Sequence, residues 1–513
     1  MPEELLEKIK KNIPLRWKIC FISALVFGVI AHIYKLTNWL PNWDSLVFRY
    51  DPQNMVAMGR WFLPVVCAPS SFYDLPWLNG LFAILFHGIG AVCICKMFDV
   101  KKNITAGLIG AAVVTFPTVT SVLMYNYVAD GYAIAFLLSC MAAMFLVGKK
   151  PKYIVSVVCI ALSAGIYQAY ITVTVMLLLC YLILETLQEE STAVKLLTKS
   201  IKILLTGICG MALYYILMVV ILKVTGAELL EYQGLNNAAA FSGINILGAL
   251  YNIKHSFIDY FFDFSNGISV FCVLNCIIVV LTVVMYVIDI IKNRTSIIKI
   301  LFVCVYVIFL PIGANALSFI NSEVDYHNLM KMGYFVFYLF LILQYERFEI
   351  KMPKFNMLKA WAILGTILVL IFNNIIIANV SYHKLNMAYE KSYGTLIRIA
   401  DRIEQTKGAE NCSKILVIGA LSGSEAYSVD LPPDMTGATD GYILRADDEI
   451  VGQSVLCSAL NDYCGKNYTF LAGKEKEALL KKLNEEKIDI WPESDSILIS
   501  DGVIIIRLGN EVQ

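Results

Sequence analysis

The chain has 513 residues, 58% of them hydrophobic and only 16% charged, with a mean hydropathy of +0.67 and a net charge of zero. That composition excludes an ordinary soluble globular protein, and the balanced charge gives no footprint for nucleic acid. Many apolar runs approach the roughly 20 residues a membrane-crossing helix needs. None of the short alternating segments of a β-barrel is present, so the expected class is an all-α polytopic membrane protein.

The N-terminal "MPEELLEKIKKNIPLRWK" is charged and amphipathic. The apolar run after it lacks a small-residue cleavage site and reads as a retained first span. Eleven spans are expected, at about 17–35, 77–96, 104–123, 130–147, 153–167, 169–186, 201–222, 268–290, 297–318, 330–345 and 358–380. The fifth and sixth form a tight pair around "AGIYQAY". Lysines and arginines fill the N-terminus and then every second loop, at Lys101 and Lys102, Lys149 and Lys150, Lys195 and Lys199, Lys292 and Arg294, and Arg347 and Lys351. By the positive-inside rule the N-terminus is cytoplasmic, and an odd number of spans puts everything after about 381 outside.

The outer loops then differ in length. The first, about 36–76, holds "NWDSLVFRYDPQNMVAMGRW". A later one, about 223–267, has the aromatic and aliphatic content of interfacial helices. The cytoplasmic loops are short, so an active site would face outward. Residues 1–382 form the membrane domain and 383–513 a small extracytoplasmic α/β domain. In the latter, "SYGTLIRIADRIEQT" and "GKEKEALLKKLNEEKI" read as helices and "KILVIGA" as a buried strand. "SILISDGVIIIRLG" reads as a hairpin about Asp501-Gly502. Most cysteines lie in apolar runs as small hydrophobes. A Cys457–Cys464 disulfide is open, since pairing does not follow from spacing. No metal constellation is visible, Cys93 and Cys95 having no histidine companions.

Four polar clusters fall on the outer side. The first loop carries Asp44, Arg49, Asp51 and Arg60 beside Trp39, Trp43 and Trp61. They are either an aromatic belt with interfacial charges, or a general base with arginines for a phosphate leaving group. Asp130 in "YNYVADGYAIAF" is either a helix-start carboxylate or, with Tyr125, Tyr127 and Tyr132, part of a sugar site. Gln168, between Tyr167 and Tyr170, either bonds a neighbouring helix or faces a cavity. Glu323, Asp325, His327 and Lys331 form a solvated loop or a fourth contributor. The clusters share one side, as an enzyme acting on lipid-linked substrates requires.

In order along the chain, "WDSLVFRYDPQNMVAMGRWFLPV", "FPTVTSVLMYNYVADGYAIAFLL" and "LSAGIYQAYITVTVMLLLCYL" resemble the bacterial Gtr type II glucosyltransferases, polytopic enzymes of the GT-C class. The likeness runs over about residues 15–380. It implies a GT-C-like fold in a bacterial inner membrane and an undecaprenyl-phosphate-linked hexose donor, often glucose. The acceptor it implies is O-antigen, a wall polysaccharide or a lipid-linked glycan. No cofactor is expected, since nothing visible in the sequence requires one. It implies a catalytic base in the first outer loop, Asp44 with Asp51 as the competing choice. Arg49 and Arg60 would bind phosphate, and Tyr125, Asp130, Tyr167 and Gln168 would shape the sugar site. Many members have adjacent acidic residues in that loop where this chain has "WDS", so the loop is better marked than the base.

A transporter or flippase of lipid-linked glycans is the alternative from another class, and a polysaccharide polymerase a third. A transporter calls for internal repeats or broken helices with charged residues at the midplane; no repeat is visible, and the span centres are almost free of charge. The C-terminal domain is expected to contact the acceptor or a partner, because it shares the side of the loops.

Overall fold

The structure, a computed structural model, describes residues 3–4, 13–47, 55–71, 73–148, 150–188, 190–230, 246–263, 269–319, 326–348, 353–419, 421, 449–471, 473–483 and 488–509. It is mostly helical. In chain order the helices are α1 (Leu15–Thr37), α2 (Trp43–Val47), α3 (Leu63–Cys67), α4 (Pro76–Met97), α5 (Asn103–Val114), α6 (Pro117–Met124), α7 (Asn126–Leu146), α8 (Tyr153–Ile166), α9 (Ile171–Thr186) and α10 (Ala193–Thr225). There follow α11 (Ile246–Phe262), α12 (Val270–Lys292), α13 (Ile297–Ala314), α14 (Phe335–Glu346), α15 (Lys354–Gln405), α16 (Glu449–Cys464) and α17 (Gly473–Leu483). Among the described residues, nine helical segments are long and apolar enough to cross a membrane.

The other two expected spans are short. One is α8, with 14 residues. The other is α14, with 12 residues, which continues a 3-10 segment at Asn328–Tyr334. The expected span at 104–123 is broken in two. Pro117 excludes the helical conformation at the residue before it, and Phe116 is extended (φ −61°, ψ 137°). The α8–α9 link is tight, as expected: Tyr167 is extended and Gln168–Tyr170 forms one 3-10 turn. The loop at 223–267 contains α11, which buries Ala249, Ile253, Tyr260 and Phe261.

Small residues let the helices approach closely, as in other membrane helix bundles. A Cβ on Gly110 would lie 2.1 Å from the Cys20 carbonyl oxygen, so α1 and α5 touch backbone to backbone. One end of the bundle collects charge pairs. Lys199 meets Glu185 at 2.5 Å, Arg347 meets Asp289, and Glu346 accepts from the Lys102 backbone N–H at 3.0 Å.

The helix α15 has 52 residues, about 78 Å at the usual rise. The boundary expected at 382/383 falls inside it. Tyr382 bonds His32 of α1 at 2.7 Å, whereas Leu396, Ile399 and Ile403 join the core of the C-terminal domain. That domain has a four-stranded sheet of β1 (Lys414–Ile418), β2 (Thr469–Phe470), β3 (Ile497–Ser500) and β4 (Val503–Arg507), in the order β2-β1-β4-β3. β1 is parallel to both β2 and β4, and β3 is antiparallel to β4. Alternation along the strands serves both faces. Ile415, Val417, Ile504 and Ile506 pack with α15 and α16, while Leu416, Ile418, Val503 and Ile505 pack with α17. The hairpin turns at Asp501-Gly502, both with positive φ (50° and 72°), the pairing that favours Asp-Gly.

All fourteen cysteines are free. Cys457 and Cys464 both lie on α16. They are seven positions apart on the helix, about 10 Å, beyond the reach of a disulfide.

Candidate functional site

The end of the bundle opposite the charge pairs gathers the polar clusters. Its centre is Arg60, which leaves a short turn at Val56–Met58 closed by Gly59 at φ 72°. The Arg60 guanidinium donates to the Tyr132 hydroxyl at 3.0 Å and lies 4.6 Å from the centroid of the Tyr167 ring. Tyr132 and Tyr167 are stacked, with centroids 4.6 Å apart and planes 9° from parallel. Tyr170 meets Tyr167 edge-on at 6.1 Å. All three tyrosines are buried. The arrangement holds a cation against aromatic faces.

Gln168 fixes the turn that carries Arg60. Its amide donates to the Met58 carbonyl at 3.1 Å and to the Tyr214 hydroxyl at 3.0 Å. Tyr214 in turn donates to the Gly59 carbonyl at 3.2 Å. Next along the chain, Phe62 N–H donates to the Gly165 carbonyl at 2.8 Å. A Cβ on Gly165 would lie 2.6 Å from the Trp61 ring, so only glycine admits that approach.

Asp44 lies in the first turn of α2 and is half-buried. The Tyr127 phenol is within electrostatic reach of both Asp44 and Arg60, and of Tyr125 and Tyr132. Tyr125 sits at the break between α6 and α7. Asp44, Tyr125, Tyr127 and the Arg60 cluster therefore belong to one polar region. Arg49 and Asp51 lie outside the described residues, as do Glu323 and Asp325.

Asp130 is almost wholly buried. Its carboxylate accepts from the Gly131 N–H at 2.9 Å and from the Cys67 thiol at 3.7 Å, with Ser70 adjacent. Burial and the neighbouring carboxylate push the Cys67 thiol well above its ordinary range, which keeps it a donor. Asp130 thus braces α3 and the corner after it.

Sequence patterning leaves several of these partners unmarked. Tyr214 lies inside an apolar span. Lys35 donates to the Leu40 carbonyl at 2.5 Å and lies within charge reach of Asp74. Asp74 accepts from Asn126 at 2.6 Å. This buried network ties the end of α1 to the start of α7, next to Tyr127. Burial of such a pair demands close partners, but only its three-dimensional setting reveals it. His327 precedes and Lys331 lies within the 3-10 segment Asn328–Tyr334, where the Thr118 hydroxyl donates to the Asn328 carbonyl at 2.9 Å and the Lys331 ammonium lies 5.5 Å from the Tyr260 ring centroid. Among the described residues no group of three or more His, Cys, Asp or Glu is placed to hold a metal ion.

A cavity of about 1250 Å³ leads away from Arg60, Tyr167 and Gln168. It runs between α9, α10 and α13, and past that polar mouth its walls are almost entirely apolar. Its lining on α10 extends from Leu197 to Met218, about 32 Å of helix. Leu204, Ile208, Leu301 and Phe309 line it and are also exposed on the side of the bundle, so the cavity is open laterally.

The sequence model of one family, described as glucosyl transferase GtrII, matches residues 33–344. No curated protein matches the chain, and no solved structure does.

Proposed function

The chain belongs to the GtrII glucosyltransferase family, and from that we propose that it transfers glucose from undecaprenyl phosphate to a polysaccharide or lipid-linked glycan at the outer face of a bacterial cytoplasmic membrane. The observation that carries this reading is the laterally open apolar cavity ending at Arg60. Its length along α10 compares with the roughly 30 Å hydrocarbon core of a bilayer. A polyprenyl tail fits such walls, and a phosphate at its head would meet a guanidinium. The orientation follows from the distribution of lysine and arginine, with the N-terminus cytoplasmic and residues 383–513 outside.

The reaction is a single displacement. Asp44 takes the proton of an acceptor hydroxyl. The hydroxyl oxygen bonds to the anomeric carbon as the bond from that carbon to the phosphate oxygen breaks. The lipid phosphate leaves with the electron pair, and Arg60 offsets the charge that develops there. Tyr125, Tyr127 and Tyr167 would contact the sugar, and Gln168 would hold Arg60 in place. Asp51 is the competing base and Arg49 a second phosphate partner.

The test is Asp44→Asn and Asp51→Asn in native membranes supplied with labelled undecaprenyl phosphate glucose. Loss of label transfer in Asp44→Asn supports the assignment. Full transfer in both variants places the base outside the first loop.

A further inference from the structure

The helix α2, which carries Asp44, has five residues, too few to persist by itself in water. It is held from two directions. On the side of the bundle, Asn42 accepts from the Ser45 N–H at 2.9 Å and donates to the Met124 carbonyl at 3.2 Å. On the other side, Leu46 is only 3% exposed and is part of the apolar core of the C-terminal domain. There it joins Leu396 and Ile399 of α15 and Val455, Leu456 and Leu460 of α16. Just before α2, the Trp39 indole N–H donates to the Tyr463 hydroxyl at 3.0 Å. The Tyr463 ring in turn meets Tyr393 edge-on at 5.7 Å.

We propose that the C-terminal domain is a working part of the active site, in which Leu46 and Tyr463 are positioning residues that hold the Asp44 helix against the end of the bundle. Only Ser45 stands between Asp44 and Leu46, so any tilt of α2 in its socket moves the carboxylate. A core of buried aliphatic side chains resists such a tilt because it has few alternative packings. The domain's first task is then intramolecular, on a loop of its own chain. This inference rests on Asp44 as the base.

The experiment uses the full-length protein. Amide hydrogen exchange over residues 39–47 is measured together with the maximal rate and donor KM for labelled undecaprenyl phosphate glucose in native membranes. Leu46→Ala and Tyr463→Phe are each expected to speed exchange across 39–47 by about tenfold. They are expected to lower the maximal rate by about 10- to 100-fold, with donor KM unchanged, because the cavity is untouched. Leu46→Met refills the socket and is expected to restore both. Unchanged exchange across 39–47 overturns the proposal. So does a full transfer rate in Leu46→Ala beside an inactive Asp44→Asn control. A fully active Asp44→Asn would instead overturn the assignment of the base, and the exchange data alone would then judge the docking of the loop.

Discussion

The Arg60 guanidinium lies 4.6 Å from the centroid of the Tyr167 ring, although the two are 107 positions apart in sequence. A planar, delocalised cation can stack on a ring and still direct its N–H groups elsewhere. A lysine ammonium has no flat face to lay on the ring and no fixed fork of N–H groups to present beside it. Arg60→Ala is therefore expected to lower kcat/KM for labelled lipid-phosphate glucose by about 100- to 1000-fold. Arg60→Lys should recover only part of that. Wild-type activity in Arg60→Lys would show that a point charge suffices.

Gln168 joins the Met58 carbonyl to the Tyr214 hydroxyl. Gln168→Leu keeps the volume and removes both bonds. At about 1 kcal/mol net for each hydrogen bond, a small drop in melting temperature is expected. Transfer should fall further than stability, because the turn released is the one that carries Arg60. A loss of stability with normal transfer would make Gln168 a purely structural link.

Gly207 lines the apolar cavity, and a Cβ there meets nothing within 4 Å. Gly207→Trp should fold normally and fill part of the space assigned to the lipid tail. Donor KM is expected to rise by about tenfold or more, while the maximal rate at saturation changes little. An unchanged KM would place the lipid elsewhere.

Asp130 offers an acceptor to the Gly131 N–H and the Cys67 thiol. Asp130→Asn retains an acceptor oxygen and is expected to keep transfer within a few-fold of wild type. Asp130→Leu leaves buried donors unsatisfied, at about 1–3 kcal/mol, and should lower the melting temperature. If Asp130→Asn proves as inactive as Asp44→Asn, Asp130 touches the substrate.

Gly110 marks the backbone contact between α1 and α5. Gly110→Val has no flexible neighbour to displace and must push the two helices apart. The yield of folded protein extracted from membranes should fall sharply, and a normal yield would mean that the contact is loose.

Much of this architecture was legible because its causes are local. Apolar run length marks a membrane helix, and Asp501-Gly502 marks a hairpin. Pro117 could have warned that the third span would break, since proline restricts the residue before it. The extent of α15 was harder to foresee. Its first half has the apolar composition of a span and its second half the amphipathic pattern of a soluble helix, and nothing in between stops it. The contact between Asp130 and Cys67 was also hidden, because Cys67 reads as an unremarkable apolar residue.

The sequence by itself determined that the chain is a bundle of apolar helices with its polar clusters at loop ends, and that residues 33–344 carry a family pattern. These features depend on side-chain type and spacing along short stretches. Only the tertiary structure decided that Arg60 meets Tyr132 and Tyr167, that Asp130 turns to Cys67, and that Leu46 enters the core of the C-terminal domain. Such meetings join segments tens to hundreds of residues apart. They depend on which helices lie close, and that is set by small residues such as Gly110 and Gly165 whose effect appears only when the whole bundle is packed.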